Sequence, residues 1–259
     1  MLLENKKILI TKEEGIYRSL QPLADEGADL IFFPAIKIVP AYNEIEIAEL
    51  ATEIRSFDYL IFTSQNAVEV FHNIAEKYGL DLSKTKIAVT GKATAEVCNE
   101  KGYYIHIIPG KFSASGLLER FENIGVENTK ILIPCSSIAR DELQKGLTKL
   151  GAAVSLIKIY DTVQNDVDAL ADKIDSIKED KPELFVFTSP SNYRNFIAIM
   201  DIDDPVEYFK ENYICAIGST TEKEIRKSGV NVNIVPAEFS LDGISNAIIT
   251  FYKSTGNMA

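Results

Sequence analysis

Phe62-Thr63-Ser64 returns 125 residues later as Phe187-Thr188-Ser189. Outward from it, Ala88-Val89-Thr90-Gly91-Lys92-Ala93-Thr94-Ala95-Glu96 is echoed by Ala216-Ile217-Gly218-Ser219-Thr220-Thr221-Glu222, with Gly91 and Gly218 offset by 127. Phe112-Ser113-Ala114-Ser115-Gly116 recurs as Phe239-Ser240-Leu241-Asp242-Gly243, again offset by 127, and Ile8-Leu9-Ile10 returns as Ile131-Leu132-Ile133, offset by 123. Four separate segments that agree within a few residues establish an internal duplication. Solenoid repeats run to about 20 to 50 residues, so a period this long predicts two half-proteins, each with its own core.

A chain of 259 residues, 46% hydrophobic and 25% charged, is long enough and apolar enough to bury a substantial interior. Its formal charge of −11 argues against a general electrostatic grip on nucleic acid, which needs a basic stripe. An anionic ligand must therefore be held locally. Cys98, Cys135 and Cys215 are odd in number and lack metal-type spacing, and only His72 and His106 supply imidazole. Neither a disulfide framework nor a metal site is expected, which fits a reduced, cytoplasmic setting. Residues 1–7 carry no signal-like apolar core, and the longest apolar run, Leu30 to Ile36, is far short of the about 20 residues of a membrane span.

Short β-rich runs alternate with helical patterns in each copy, which predicts an α/β fold of parallel sheets covered on both faces. Candidate strands are Lys7 to Thr11, Asp58 to Phe62, Lys86 to Thr90 and Tyr104 to Ile108, with echoes at Lys130 to Pro134, Glu183 to Phe187, Tyr213 to Ile217 and Asn231 to Val235. Val167, Leu170, Ala171, Ile174 and Ile177 fall at helical spacing, as do Leu143, Leu147 and Leu150, so these segments each bury one stripe on a sheet. Two runs, Leu30 to Pro40 and Val154 to Val163, exceed a usual strand of about 5 to 6 residues. Both occur at the same point of the repeat and share Ile36-Lys37-Ile38 and Ile157-Lys158-Ile159. The expectation is a two-stranded β-ladder, around 36–42 and 157–163, joining a discontinuous domain of 1–38 plus 162–259 to a second domain of 42–158, with a cleft between them.

In an open parallel sheet, ligands gather beyond the carboxyl ends of the strands, where helix amino termini offer N–H groups and partial positive charge. The repeated motifs fall there. Thr63, Ser64 and Asn66, then Gly91, Lys92 and Thr94, then Ser136, Ser137 and Arg140 are candidate anion-binding residues of this kind. So are Thr188, Ser189 and Ser191, and Gly218, Ser219, Thr220 and Thr221. The bland alternative for each serine is a helix cap worth about 1 kcal/mol that needs no ligand. Convergence of the set from both copies favours a ligand. Lys12 and Arg194 lie near strand ends or early helix turns and are further candidate cations.

Together, Phe62-Thr63-Ser64-Gln65-Asn66-Ala67-Val68, the Gly-x-x-Thr elements at Gly91 and Gly218, Phe187-Thr188-Ser189-Pro190-Ser191 and Tyr160 resemble the uroporphyrinogen-III synthase family over nearly the whole chain. The resemblance implies two similar α/β domains joined by a two-stranded ladder, and a lyase that uses no cofactor and no metal. It implies a linear tetrapyrrole substrate, hydroxymethylbilane, which loses water and closes to uroporphyrinogen III with ring D inverted through a spiro intermediate. Catalysis of that kind is largely control of geometry. Tyr160 matches the family's tyrosine and is the candidate general acid, since a phenol of pKa about 10 keeps its proton at neutral pH. Thr220 and Thr221 match the family's paired threonines and are assigned to substrate positioning. Lys92 departs from the pattern, standing where a small or uncharged residue is typical.

The implied partners are the substrate and, transiently, the hydroxymethylbilane synthase that supplies it, with no nucleic acid, no membrane and a monomeric state. A rival of another class is a non-catalytic two-domain hinge protein that binds a small anion in the cleft. Nucleotide enzymes are disfavoured, because neither Gly-x-Gly-x-x-Gly nor Gly-x-x-x-x-Gly-Lys-Ser/Thr occurs.

Overall fold

The computed structural model describes residues 1–15, 18–137 and 141–256. Among them the strands, in chain order, are β1 (Lys7–Ile10), β2 (Asp29–Phe32), β3 (Ile36–Pro40), β4 (Tyr59–Phe62), β5 (Lys86–Val89), β6 (Ile105–Ile107), β7 (Lys130–Ser136), β8 (Ala153–Gln164), β9 (Leu184–Phe187) and β10 (Tyr213–Ala216). They form one sheet of order β10-β9-β1-β2 and another of order β3-β8-β7-β4-β5-β6. The pairs β1–β2, β1–β9, β9–β10, β4–β5, β4–β7, β5–β6 and β7–β8 are all parallel. Helices follow most strands, so the fold is α/β with parallel sheets flanked by helices.

The chain divides into two compact units, Met1–Lys37 with Val163–Ala259 (unit 1) and Ile38–Thr162 (unit 2). Both sheets repeat one strand arrangement. Unit 1 runs β2-β1-β9-β10, and Ile234 adds an isolated parallel bridge to Cys215 at the β10 edge. Unit 2 runs β8-β7-β4-β5-β6, with β3 beyond β8. Unit 1 reads as the doubly wound order 2-1-3-4-5, and unit 2 is the same arrangement circularly permuted, 5-4-1-2-3 along its own chain. Neither unit is one copy of the repeat. Unit 1 takes β1 and β2 from the first copy and β9 and β10 from the second, while unit 2 takes β4, β5 and β6 from the first and β7 and β8 from the second.

Burial on both faces explains the sequences of the central strands. In β4, Leu60 and Phe62 enter a core with Phe71, Ile74 and Ile157, whereas Tyr59 and Ile61 enter another with Leu117, Phe121 and Leu147. In β9, Phe185 and Phe187 join Phe33, Phe196 and Phe209, and Leu184 and Val186 join Ile8, Ile10 and Ile248. Phe33 and Phe196 meet edge to face at 5.1 Å between ring centres, whereas Phe196 and Phe209 are tilted. Each fully buried side chain of this size contributes about 1.5 to 3 kcal/mol.

The expected long strand at Leu30 to Pro40 is in fact two, β2 and β3, interrupted at Phe33-Pro34-Ala35. Pro34 has no N–H to give a ladder. Asn165 spans the break, its Nδ2 donating to the Pro34 carbonyl at 2.8 Å and its backbone N–H to the Ala35 carbonyl at 3.2 Å. Farther along, the Ala41 N–H donates to the Ile159 carbonyl at 3.0 Å. The partner numbers fall on one strand as they rise on the other, so β3 and β8 pair antiparallel.

The expected strand at Asn231 to Val235 is reduced to its single bridge. Asn233 Oδ1 takes the Ile214 N–H at 2.9 Å, a donor that a longer ladder would use. The first copy does the same with a different residue. His106 Nδ1 accepts the Ile87 N–H at 3.1 Å, where the β5–β6 register shifts. His106 and Asn233 are offset by 127, as are Ile87 and Ile214. The Phe-Ser-x-x-Gly echo also has a structural cause. Ser113 caps its helix by accepting the Gly116 N–H at 3.1 Å, and Ser240 accepts the Gly243 N–H at 3.0 Å. A Cβ at Gly116 would lie 2.1 Å from the Lys111 carbonyl oxygen, and one at Gly243 would lie 2.0 Å from that of Glu238, so only glycine fits either site.

The shared role of His106 and Asn233 is testable by urea denaturation. His106→Asn should leave stability within about 0.5 kcal/mol, whereas His106→Leu should cost about 1 to 3 kcal/mol by leaving the Ile87 N–H unpaired.

Candidate active site

Every strand of a parallel sheet delivers its carboxyl end to the same edge, so the repeated motifs are gathered by topology. In unit 2, Thr63 and Ser64 leave β4 into the helix Gln65–Tyr78, and Ser64 caps it by accepting the Ala67 N–H at 3.1 Å. Next door, Thr90 leaves β5, and its Oγ1 donates to the Thr63 carbonyl at 3.2 Å. Gly91 then caps the helix Lys92–Glu100, with Lys92 exposed and Thr94 buried at its third position. On the other side of β4, Ser136 ends β7, and the Ser137 N–H donates to the Tyr160 carbonyl at 3.2 Å.

That last contact brings in β8. Tyr160 is only 6% exposed, and its hydroxyl lies 3.0 Å from Ser64 Oγ. One lone pair of Ser64 is already engaged by the helix N–H, and its hydroxyl proton is free to turn to the phenol oxygen. In that arrangement the phenol keeps its own proton for something else. The pair sets a nearly buried phenol against a second hydroxyl at the carboxyl edge of the unit 2 sheet.

Unit 1 uses the same frame with other residues. Ser189 caps the helix Pro190–Ile199 by accepting the Asn192 N–H at 3.0 Å, and Pro190 removes an N–H that the first turn cannot pair. Thr188, at the end of β9, is locked. Its Oγ1 donates to the Thr11 carbonyl at 2.9 Å and accepts from Asn192 Nδ2 at 2.8 Å. Thr11, 1% exposed, returns the contact by accepting the Thr188 N–H at 3.1 Å and donating its own proton to the Val186 carbonyl at 3.0 Å. Asn192 Oδ1 is buried without a partner, which costs about 1 to 3 kcal/mol. Beside this knot, Gly218 caps the helix Ser219–Lys227, in which Ser219 and Thr220 are exposed and Thr221 is buried. The Phe239 ring covers Gly218, where a Cβ would meet it at 3.0 Å, while the matching space at Gly91 is open.

The candidate residues thus fall into two groups, one at the carboxyl edge of each sheet. Thr63, Ser64, Asn66, Gly91, Lys92, Thr94, Ser136, Ser137 and Tyr160 belong to unit 2, and Thr188, Ser189, Ser191, Gly218, Ser219, Thr220 and Thr221 to unit 1. Arg140 lies outside the described residues. Arg194 is committed to Glu224 at 2.8 Å. Burial holds the Lys12 ammonium below the usual lysine range, with Glu13 opposing it. Thr11 and Asn192 were not among the candidates. Their signal lay in departure from the repeat, since the corresponding positions of the other copy are Pro134 and Ala67.

A surface pocket of 700 Å³ lies elsewhere, at the amino-terminal edge of the unit 1 sheet, lined by Lys6, Glu183, Asn212 and Tyr213 among others. Among the described residues no cluster of three or more His, Cys, Asp or Glu could hold a metal ion, and no helix is long and apolar enough to cross a membrane. His72, on the helix Gln65–Tyr78, has its Nδ1 3.3 Å from the Tyr103 hydroxyl and its Nε2 3.5 Å from the Glu76 carboxylate. Burial pushes the Cys98 and Cys215 thiols up to about 12, which disfavours the thiolate.

The family model described as Uroporphyrinogen-III synthase HemD matches residues 19–246. A relative from Methanocaldococcus jannaschii, provisionally named a uroporphyrinogen-III synthase, is 31% identical over 253 residues, covering 94% of this chain and 98% of that one. The uroporphyrinogen-III synthase of Synechococcus elongatus is 28% identical, covering 96% and 97%. Among solved structures, uroporphyrinogen-III synthetase from Helicobacter pylori superposes with a TM-score of 0.68 at 15% identity, over 95% of this chain and 99% of that one, and so shares the fold.

Two stability measurements separate cap from knot. Ser64→Ala should cost about 1 kcal/mol, the value of a cap. Thr188→Val should cost about 2 to 3 kcal/mol, because it leaves the buried Asn192 Nδ2 and the Thr11 carbonyl each one partner short. The buried thiols give a third test. At pH 8, iodoacetamide should modify Cys98 and Cys215 only at the rate of unfolding, as followed by mass spectrometry with and without urea.

Proposed function

The chain belongs to the uroporphyrinogen-III synthase family and cyclises hydroxymethylbilane to uroporphyrinogen III, and from that premise we propose that Tyr160 is the general acid of the reaction. The observation that carries this is the nearly buried phenol 3.0 Å from Ser64 Oγ at the carboxyl edge of the unit 2 sheet. The phenol gives its proton to the departing hydroxyl of the substrate, the C–O bond breaks, and water leaves with an azafulvenium cation behind, paired with the phenolate. Ser64 then donates to the phenolate oxygen. The proton returns when the ring carbons join and the pyrrole regains aromaticity, so the tyrosine is restored.

The substrate carries carboxylates on every ring, and the chain carries a charge of −11. Long-range repulsion is screened beyond about 8 Å at physiological salt, whereas helix amino termini act at contact. We assign carboxylate binding to the first turns entered through Ser64, Gly91, Ser189 and Gly218, with Asn66, Lys92, Thr94, Ser136, Ser137, Ser191, Ser219, Thr220 and Thr221 beside them. Thr63 and Thr188 serve these sites by holding the strand ends in place. Three buried, unpaired cysteines favour a reducing cytoplasm. The internal duplication favours a monomer, and the short life of the substrate favours transient contact with the enzyme that makes it.

The test is the isomer ratio of uroporphyrinogen formed from freshly generated hydroxymethylbilane. Tyr160→Phe should lower the rate of isomer III formation about 10- to 1000-fold while keeping the far-UV spectrum of the parent, since a positioned acid contributes about 10² to 10⁴. Full turnover by that variant would remove Tyr160 from the role.

A further inference from the structure

We propose that Phe112 and Phe239 are substrate-positioning residues, each offering an exposed ring face on which a pyrrole of the linear tetrapyrrole lies. The inference rests on the assignment of the strand-end residues as the substrate site.

These two phenylalanines are the part of the Phe-Ser-x-x-Gly echo that the fold leaves unused. Ser113 and Ser240 cap their helices, and Gly116 and Gly243 admit a close carbonyl. Each ring, however, stands in solvent, Phe112 at 57% exposure and Phe239 at 62%. Among the described residues neither ring joins the apolar clusters of its unit. One exposed phenylalanine is ordinary. The same one at the same point of both copies is not, because the copies have diverged at Tyr160 and Val39, at Asn192 and Ala67, and at Thr11 and Pro134. Burial retains core residues, and it retains neither of these.

The turn that carries each ring is pinned on both sides. Phe239 follows Glu238, whose carbonyl crowds Gly243 and accepts the Ser240 N–H at 2.9 Å, and it precedes the Ser240 cap. Phe112 follows Lys111, whose carbonyl crowds Gly116 and accepts the Ser113 N–H at 2.8 Å, and it precedes the Ser113 cap.

Topology puts both turns at the carboxyl edge, since Phe112 comes after the parallel strand β6 and Phe239 after the parallel bridge at Ile234. Phe239 also rests on Gly218, the cap of the helix Ser219–Lys227, so its ring stands beside that helix mouth. The ligand chemistry follows. An aromatic face is electron-rich and makes no ordinary hydrogen bond, so it repels a carboxylate and suits the face or edge of another flat ring. A pyrrole with acid side chains divides the same way, its ring for the phenylalanine and its carboxylate for the helix mouth.

The experiment compares Phe112→Ala and Phe239→Ala with Phe112→Tyr, Phe239→Tyr, Phe112→Leu and Phe239→Leu for kcat, KM and thermal midpoint. Each alanine variant should raise KM about five- to tenfold at unchanged kcat, with tyrosine restoring KM and leucine failing to. An unchanged KM in either alanine variant overturns the proposal for that ring, and full recovery by leucine overturns the ring-face contact. Titration of the wild-type protein with uroporphyrinogen III needs no variant to fold. It should shift the ring-proton signals of Phe112 and Phe239, and ring signals that stay put overturn the proposal. Backbone amide signals of Ser219 and Thr220 that stay put in the same titration would remove the strand-end site and this inference with it. Shifts there with unchanged KM in the alanine variants would remove the rings alone.

Discussion

The pairing of β3 with β8 is the constraint from which the rest of the structure follows. The Ala41 N–H meets the Ile159 carbonyl at 3.0 Å and the Asn165 N–H meets the Ala35 carbonyl at 3.2 Å, so two segments more than a hundred residues apart run side by side. Each belongs to a different copy at the same point of the repeat. Once they pair, the first two strands of each copy are delivered to the sheet built from the last strands of the other. The entropy of closing so long a loop is less of an obstacle than it looks, since each doubling of length adds only about 0.6 kcal/mol. Against that stand two cores per unit, each far larger in stabilisation.

Much of this was legible because duplication is a strong signal and parallel strands have a strong composition. Tyr59-Leu60-Ile61-Phe62 and Leu184-Phe185-Val186-Phe187 are apolar at every position, which only burial on both faces permits. The strand ends were legible for the same reason, since the apolar run stops where the chain turns to water. What escaped was decided by single side chains. Pro34 splits a run that reads as one strand into β2 and β3, and Asn233 reduces another to one bridge by taking the Ile214 N–H. His106 looks like a strand histidine of no particular role, yet it accepts the Ile87 N–H in the place where the other copy uses asparagine. Such side-chain to backbone bonds depend on a register that no periodicity reveals.

The same limit applied to the candidate site. Motif matching selects what the copies share, so Thr63 and Thr188, Ser64 and Ser189, Gly91 and Gly218 were visible. Thr11 and Asn192 were not, because the copies differ there, with Pro134 and Ala67 opposite them. Their bonds with Thr188 make a closed polar knot at 2.8 to 3.1 Å. In unit 2 the corresponding polar contact comes from a different strand altogether, Tyr160 of β8 reaching Ser64.

That divergence bears on how a duplicated frame can handle a substrate whose two ends must be treated differently. Symmetric half-sites would bind a linear tetrapyrrole equally well in either direction and would favour neither closure. The two edges are not symmetric. The residue of the first copy that corresponds to Tyr160 is Val39, which can give no proton, while the partner serines Ser64 and Ser189 are alike in capping their helices. The tyrosine contact at the Ser64 cap thus comes from the second copy alone, although Val39 and Tyr160 both fall within unit 2. Unit 1 instead has a fixed hydroxyl, a carboxamide and two helix mouths, groups that hold rather than react. On the proposed assignment the acid belongs to the unit 2 edge, while the unit 1 edge carries groups suited to binding alone.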